Sequence, residues 1–278
     1  MKENTISGAI LISRPANVFI AALSIFIAVL ITGTIQPIIK VIFACISGSM
    51  IMAGSNTIND YFDLEIDKIN RPDRPLVKGV ISPNFAYRLA LIEFIFGILI
   101  SILIGKPAFI IVVFMSLLLI IYSRYIKQLP LIGNLVVSFS AGMVFIFGGV
   151  AVNRVRFTIV PAILAFFYHL GREMLKDVQD MKGDAQMNAK TLPIIFGKTN
   201  SLTLITLNIL VLMIILPLPY VYQWYDINYL MTAIIGIYPV LIYAIVSMWK
   251  RPTPRNLGII SQVLKIDMLV GLLALYLG

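Results

Sequence analysis

Apolar runs long enough to cross a membrane recur along the whole sequence, and they constrain the fold more than any other feature. The hydrocarbon core of a bilayer is about 30 Å thick, so a helix needs roughly 20 mostly apolar residues to span it. Nine candidate spans can be marked between polar, proline or glycine breaks, at approximately 15–34, 38–58, 84–104, 107–125, 131–150, 156–177, 200–218, 227–248 and 258–277. With 59% hydrophobic residues, 13% charged residues and a mean hydropathy of +0.95, the composition excludes an ordinary soluble domain. The sequence therefore predicts an all-α, polytopic membrane protein with nine transmembrane helices, formed by residues 1–278 as a single domain.

The basic residues predict the orientation of the chain in the cell membrane. They lie in short segments between apolar runs, and only four of the 22 are in the connections after spans one, three, five and seven: Lys40, Lys106, Arg154 and Arg156. The positive-inside rule then places the N-terminus and the other connections in the cytoplasm. The same distribution argues against nucleic acid as a partner, although the net charge is +9. The single cysteine, Cys45, lies in an apolar run, which excludes an intrachain disulfide or a cysteine metal site.

Two of the predicted cytoplasmic connections are long and begin with acidic clusters. They cover roughly residues 59–83, after the second span, and 178–199, after the sixth. A purely structural loop of a membrane protein can be short and basic, so long acidic loops are candidates for function. The sequence therefore predicts a functional site at the cytoplasmic edge of the membrane.

The first acidic cluster is the stretch NDYFDLEID at 59–67. If the second span continues as a helix, Asn59, Asp63 and Asp67 occupy positions i, i+4 and i+8 and share one face. Asp60 and Glu65 are predicted to point elsewhere. Oxygen ligands without a nearby histidine or cysteine suit Mg²⁺, which binds through one or two carboxylates together with phosphate oxygens and water.

The second acidic cluster is the stretch REMLKDVQDMKGD at 172–184. At about 100° per residue, four of its carboxylates fall on one face of a helix, namely Glu173, Asp177, Asp180 and Asp184. Like charges so close repel each other, so cations or basic partners are expected. A single acidic residue at a helix end is usually only solvated or ion-paired, but two such ladders favour a metal-assisted reaction. Two ladders that hold Mg²⁺ around a diphosphate would neutralise the charge that develops as the diphosphate leaves.

Together, the two motifs resemble those of the UbiA superfamily of intramembrane prenyltransferases. The resemblance rests on NDYFDLEID with the downstream NRPDRPL at 70–76, and on DVQDMKGD at 177–184 followed by Thr191-Leu192-Pro193. It covers essentially the full chain, and the sequences of both motifs are most similar to those of the archaeal digeranylgeranylglyceryl phosphate synthases. The resemblance implies nine transmembrane helices around a central cavity, capped by the two long loops, with each motif supporting Mg²⁺ as the cofactor.

The resemblance also implies particular site residues. The metal ligands would be Asn59, Asp63, Asp67, Asp177, Asp180 and Asp184, of which Asp63, Asp67, Asp180 and Asp184 are expected to be catalytic. Expected substrate contacts are Asn59, Arg14 and Asn17 near the first span, Arg74 and Lys78 in the first loop, and Tyr122 and Lys127 after the fourth span. The family has a lysine four residues after its tyrosine, whereas Lys127 follows Tyr122 by five residues, so the helical register at this point stays open.

The resemblance implies an enzyme that ionises an isoprenyl diphosphate donor and passes the prenyl group to an acceptor. In the lipid branch the donor is geranylgeranyl diphosphate, and the acceptor is the free hydroxyl of geranylgeranylglyceryl phosphate, a lipid-like prenylated glycerol phosphate dissolved among membrane lipids. The acceptor phosphate needs cationic contacts, for which Arg14, Lys127, Lys176 and Lys190 are available.

Two alternatives differ in the acceptor or in the type of activity. Transfer to an aromatic acceptor such as 4-hydroxybenzoate, as in quinone biosynthesis, stays open because the motifs serve an ionisation step that both reactions share. A divalent-cation transporter or channel would need carboxylates distributed through the depth of the membrane, whereas these gather at one edge. Glu93, His169 and Asp267 lie inside predicted spans. They are interpreted first as buried, hydrogen-bonded structural groups, and the alternatives are a role in acceptor binding for Glu93 and Asp267 and a functional role for His169.

Overall fold

The computed structural model describes residues 5–186 and 189–278, and all regular structure in these two segments is helical. Seven helical segments in these residues are long and apolar enough to cross a membrane, and three of them, Lys106–Ile126, Lys198–Val221 and Ile227–Lys250, join consecutive elements named below. The count is eight if the first two helices, which meet at 47°, form one bent span. The prediction of an all-α integral membrane protein is therefore confirmed. The described chain divides into two compact units, which are taken in turn.

The first unit comprises residues 1–127 and 146–156. Its helices are α1 (Thr5–Ile12), α2 (Pro15–Ile31), α3 (Ile38–Phe62), α4 (Leu64–Asn70), α5 (Pro83–Ile104), α6 (Lys106–Ile121) with a π-helical extension at Tyr122–Ile126, and the last turns of α7 (Ile132–Ala151). Proline stands in the first turn of α2, α5 and α6, where no partner is needed for its missing N–H group. The local sequence thus determines where these helices start. The packing of the helices depends on the residues on their facing surfaces.

Small residues allow the helices of this unit to approach closely. A Cβ atom on Gly97 of α5 would lie 2.6 Å from the Ile51 side chain of α3, and one on Gly148 would lie 2.7 Å from the backbone oxygen of Ile25 in α2. The Ser47 hydroxyl donates a hydrogen bond to the Gly97 carbonyl oxygen at 2.7 Å. Close backbone approach and hydrogen bonds between helices are the main contributions to helix association in lipid. Apolar side chains gain little free energy when they exchange lipid contacts for protein contacts.

The second unit comprises residues 128–145 and 157–278. It contains most of α7, and after a 3₁₀ turn at Val155–Thr158 it continues with α8 (Ile159–Gln186), α9 (Leu192–Phe196), α10 (Lys198–Ile215), α11 (Leu218–Val221), α12 (Ile227–Thr232), a π-helical turn at Ala233–Ile237, α13 (Tyr238–Lys250) and α14 (Pro254–Leu277). The central α8 packs against α10 and α14.

Polar contacts inside the second unit tie α8 to its neighbours. The Asn208 amide of α10 donates to the Phe167 carbonyl oxygen at 2.9 Å. The Tyr168 hydroxyl of α8 lies 2.8 Å from an Asp267 carboxylate oxygen of α14. The interpretation of Asp267 as a buried, hydrogen-bonded group is therefore confirmed.

The two predicted acidic loops begin as helix. Residues 59–62 still belong to α3, and residues 178–186 still belong to α8. Met187 and Asn188 of the second loop lie outside the described residues. Helix α8, which contains the predicted sixth span, is not among the seven or eight apolar helices because its second half carries Arg172, Glu173 and further charged residues.

Candidate functional site

The first acidic motif lies where α3 passes into α4. Asp63 interrupts the helix with φ −91° and ψ 1°, yet the i to i+4 hydrogen bonds continue across it. The Asp63 N–H donates to the Asn59 carbonyl oxygen at 2.9 Å, and the Asp67 N–H donates to the Asp63 carbonyl oxygen at 2.8 Å. The Asn59 side-chain amide donates to the Asp63 carboxylate at 2.9 Å. The predicted ladder of Asn59, Asp63 and Asp67 therefore keeps helical spacing although α3 itself ends at Phe62.

Basic side chains from three separate parts of the first unit neutralise this motif. Arg14 forms an ion pair with Asp60, Arg74 with Asp67, and Lys127 with Asp63. Arg74 also contacts the Asp60 carboxylate at 2.9 Å. The three aspartates are only 2%, 7% and 5% exposed, in sequence order, so their charges need these partners.

Asp60 corrects the prediction for this motif. It was predicted to point away from the ladder, but its carboxylate shares Arg74 with Asp67 and also binds Arg14. A helical projection places Asp60 about 100° from Asn59, and it gives no sign that long arginine side chains reach around the helix. Glu65 follows the prediction, since it is exposed and pairs with Lys68 at 2.7 Å.

Arg14 stands at the bend between α1 and α2, in a left-handed backbone conformation with φ 54° and ψ 74°. Several hydrogen bonds fix this bend. The Asn56 amide donates to the Ser13 carbonyl oxygen at 2.9 Å, and the hydroxyls of Ser13 and Thr57 donate to the two carboxylate oxygens of Glu93 at 2.8 and 2.9 Å. Glu93 is thus a buried, hydrogen-bonded group, as the sequence indicated, and it supports the segment that presents Arg14.

The helical register at Lys127 depends on a π-helical turn. The Lys127 N–H donates to the Tyr122 carbonyl oxygen at 3.0 Å, a step of five residues instead of four. The turn accommodates one extra residue, and π-helical turns of this kind occur often at functional sites. It brings Lys127 to Asp63, so the lysine that follows Tyr122 by five residues is the one at this motif.

Two other predicted contacts lie beside this cluster. The Asn17 amide donates to the Asn56 side-chain oxygen at 3.4 Å. Lys78 pairs with the exposed Asp73 at 3.0 Å and is itself about half exposed. In this structure Lys78 is therefore oriented toward solvent, and its contact with a substrate stays a prediction.

The second motif lies on α8, which runs unbroken to Gln186 and so carries all four predicted carboxylates on one helix. The Asn134 amide of α7 donates to the Asp177 carboxylate at 2.8 Å. Asp184 is 6% exposed and accepts a hydrogen bond from the Thr191 hydroxyl at 3.0 Å. Asp180 lies between them on the same helix and is half-buried. Asn134 was not identified from the sequence, because a lone asparagine in an apolar run has no informative spacing.

The fourth carboxylate of the motif, Glu173, lies in an ion-pair group within α8. Glu173 binds Arg172 at 3.0 Å and Lys176 at 2.7 Å. The expected need for basic partners is thus met within the helix for Glu173. Lys190 is exposed beyond the end of α8. The predicted contacts of Lys176 and Lys190 with an acceptor phosphate stay predictions.

The donor atoms of both motifs fit Mg²⁺ that arrives with a phosphate ligand. Within the described residues, no three side chains of the His, Cys, Asp or Glu type are grouped so that they could hold a metal alone. Mg²⁺ usually keeps several waters and uses only one or two carboxylates plus substrate phosphate oxygens. Among the described residues, Asn134 Oδ1 is the buried side-chain oxygen without a hydrogen-bond partner, and amide oxygens are a ligand type that hard cations accept.

Burial also affects the protonation of the first motif. It raises the pKa of the Asp67 carboxyl to about 6, Arg74 opposes this rise, and the nearby charges of Asp63 and Asp60 add to it. A cation that binds here favours the charged form of Asp67. Cation binding at this motif is therefore expected to weaken as the pH falls below about 6.

Comparison with known families and proteins gives consistent matches over nearly the whole chain. Residues 17–257 match the model of the UbiA prenyltransferase family. The digeranylgeranylglyceryl phosphate synthase of Methanopyrus kandleri is 36% identical over 266 residues, which cover 95% of this chain and 96% of that protein. The synthase of Methanobrevibacter smithii is 35% identical and covers 96% of each chain.

Solved structures agree with these matches. A structure of digeranylgeranylglyceryl phosphate synthase superimposes with a TM-score of 0.77 at 34% identity, covering 99% of this chain and 98% of that chain. A UbiA homologue from Archaeoglobus fulgidus, solved with DMAPP and Mg²⁺, has a TM-score of 0.66 at 19% identity and covers 95% of this chain and 99% of that one. At that identity the second likeness concerns the fold alone.

The ion pair between Lys127 and Asp63 can be tested through stability. Replacing Lys127→Met leaves a carboxylate that is 7% exposed without its cation, so we expect the free energy of unfolding to fall by about 3 kcal/mol. The double variant with Asp63→Asn should recover most of this loss. Thermal unfolding in detergent provides the measurement, and Lys68→Met, in an exposed pair with Glu65, is the control that should change stability by less than about 1 kcal/mol. A double variant no more stable than Lys127→Met would contradict the pairing.

Proposed function

Because the chain belongs to the UbiA prenyltransferase family, we propose that it transfers a geranylgeranyl group from geranylgeranyl diphosphate to geranylgeranylglyceryl phosphate, forming an ether bond in archaeal membrane lipid synthesis. The observation that carries this proposal is the match of about 35% identity, over nearly the full length of both chains, with proteins named for that reaction. The family model matches residues 17–257 of this chain, which include parts of both units. This match supports the prediction that residues 1–278 act as one domain.

The proposed cofactor is Mg²⁺, held at the first motif by Asn59, Asp63 and Asp67 and at the second by Asp177, Asp180 and Asp184. When bound, Mg²⁺ would neutralise negative charge on the diphosphate oxygens and so make the diphosphate a better leaving group. The oxygen-only donor set of both motifs supports this assignment, as does the Mg²⁺ in the solved homologue from Archaeoglobus fulgidus.

The basic residues of the first motif provide the protein's own contribution to ionisation. A guanidinium carries five N–H donors, so Arg74 can keep Asp60 and Asp67 and still donate to a phosphate oxygen. Arg14 and Lys127, each paired with one aspartate, can do the same. Because these cations are already positioned by buried carboxylates, little reorganisation is needed when the diphosphate binds.

The chemical step then follows from charge and from the exclusion of water. The bond between carbon 1 of the donor and the diphosphate oxygen breaks, and the electron pair leaves with the diphosphate. The resulting allylic cation must be protected from water, which an apolar membrane helix bundle can do. The hydroxyl oxygen of the acceptor attacks carbon 1, and its proton passes to the released diphosphate, which gives the ether.

We further propose nine membrane spans, with α8 as one of them, and a cytoplasmic active site capped by the two acidic loops. The apolar first half of α8 and the excess of basic residues in the proposed cytoplasmic connections support this topology. Single cysteines placed on a Cys45→Ser background test it by labelling with a membrane-impermeant maleimide. Glu65→Cys and Lys182→Cys should react from the cytoplasmic face and Asn153→Cys from the other. Labelling of positions 153 and 182 from the same face would exclude α8 as a span.

The acceptor is tested by direct assay. We expect the purified protein in detergent to make labelled ether lipid from radiolabelled geranylgeranyl diphosphate and geranylgeranylglyceryl phosphate when Mg²⁺ is present. Removal of Mg²⁺ with EDTA should abolish the product, and added Mg²⁺ should restore it. A parallel reaction with 4-hydroxybenzoate is the comparison. Product with the aromatic acid alone would overturn the proposed acceptor while leaving prenyl transfer intact.

The motif aspartates should be required for turnover but not for folding. Replacement of Asp63→Asn or Asp180→Asn removes a charge from a metal ligand, and a loss of about 3 kcal/mol of transition-state stabilisation corresponds to a fall in kcat of roughly 100-fold or more. Glu65→Gln, in an exposed ion pair, is the matched control and should retain nearly full activity. Insertion and monodispersity are measured by gel filtration in detergent. Near-normal turnover in either aspartate variant would contradict the metal-assisted mechanism.

A further inference from the structure

The side-chain oxygen of Asn134 makes no hydrogen bond that would explain its burial. Among the residues that the structure describes, its Oδ1 is the only buried side-chain nitrogen or oxygen without a hydrogen-bond partner. The residue is 5% exposed, so bulk water does not replace the missing partner. Buried polar atoms almost always have a hydrogen-bond partner. An exception beside an acidic motif of cation-binding type indicates that the atom contacts a bound ligand instead.

The orientation of the Asn134 amide is determined by its neighbour. Its Nδ2 donates to the Asp177 carboxylate at 2.8 Å. The opposite orientation would bring Oδ1 against the carboxylate, and an ionised carboxylate, the form that binds a cation, has no proton to donate. Because both amide atoms are bonded to the same carbon, Oδ1 lies next to the nitrogen that donates to Asp177.

The backbone holds Asn134 in place independently of its side chain. The residue lies in the first turn of α7, and the Ser138 hydroxyl donates to its carbonyl oxygen at 2.6 Å. The side-chain amide is thus not needed for the helix start. It adds a neutral amide oxygen near the Asp177 carboxylate, and a hard divalent cation accepts both kinds of oxygen as ligands.

We propose that Asn134 Oδ1 is an oxygen ligand, directly or through one water, of the divalent cation at Asp177. The side chain then has two functions: its nitrogen orients the Asp177 carboxylate, and its oxygen faces the cation. This inference rests on the proposed function only in assuming a cation at the second motif. It adds to that motif a residue from α7, outside the acidic stretch.

The test is a cation-binding measurement that does not depend on turnover. Mn²⁺ replaces Mg²⁺, inorganic pyrophosphate replaces the substrate diphosphate, and free Mn²⁺ is followed by electron paramagnetic resonance with the full-length protein in detergent. Asn134→Ala should weaken Mn²⁺ binding by about 10-fold or more, the effect seen when groups that support metal ligands are removed. The control Asn208→Ala removes another buried amide of the same unit, which donates to the Phe167 carbonyl oxygen, and should leave Mn²⁺ affinity unchanged.

Two more variants separate cation binding from a merely structural role. Asn134→Asp keeps an oxygen at this position and Asn134→Leu removes it at similar size. The rise in Tm caused by Mg²⁺ and pyrophosphate should persist or grow in Asn134→Asp and shrink in Asn134→Leu. Equal rises in both variants and the wild type would show that the oxygen does not face the cation, even if Asn134→Ala fails to fold.

The outcomes also distinguish this inference from the proposed function. Wild-type protein that binds no Mn²⁺ with pyrophosphate would overturn the proposed metal site, and this inference with it. Wild-type binding together with unchanged affinity in Asn134→Ala would overturn the role of Asn134 alone. Weakened binding in Asn134→Ala, with normal binding in Asn208→Ala, is the expected result.

Discussion

The first unit depends on the neutralisation of three buried carboxylates at the end of a membrane helix. Asp60, Asp63 and Asp67 lie within eight residues of each other and are nearly inaccessible to solvent. Their partners Arg14 and Lys127 come from parts of the chain far away in sequence. A buried carboxylate without a cation would be strongly unfavourable, so the ion pairs connect three parts of the chain at one place.

This constraint explains why the helices are irregular where they are. The α1–α2 bend is at Arg14, the α3–α4 interruption is at Asp63, and the π-helical turn ends just before Lys127. In each case the break occurs at or beside a residue of the ion-pair cluster. Glu93 and its two hydroxyl donors support the bend at Arg14 from inside the unit. Helix irregularity in this protein thus accompanies the placement of charged side chains, as is common at functional sites.

The sequence predicted the all-α membrane class and the spacing of both carboxylate ladders, because apolar length and the period of 3.6 residues are local properties. It did not predict the position of Asp60. A helical projection treats arginine as a point on its own helix and ignores the reach of its side chain. Nor could the spacing alone settle the register of Lys127, since a π-helical turn inserts one residue without a distinct sequence signature. Asn134 was missed because its importance arises only from contact with Asp177, 43 residues away.

The two motifs differ in how their carboxylates are partnered, and the difference bears on their chemistry. Asp60, Asp63 and Asp67 pair with arginine or lysine, which largely cancels their charge. Asp177 instead accepts a hydrogen bond from the neutral amide of Asn134, which orients the carboxylate without forming an ion pair. A cation at Asp177 would therefore not compete with an ion-paired basic side chain, whereas a cation at the first motif would share Asp63 and Asp67 with Lys127 and Arg74. The cation-rich first motif is suited to bind an anionic diphosphate, because its basic residues are already fixed in position.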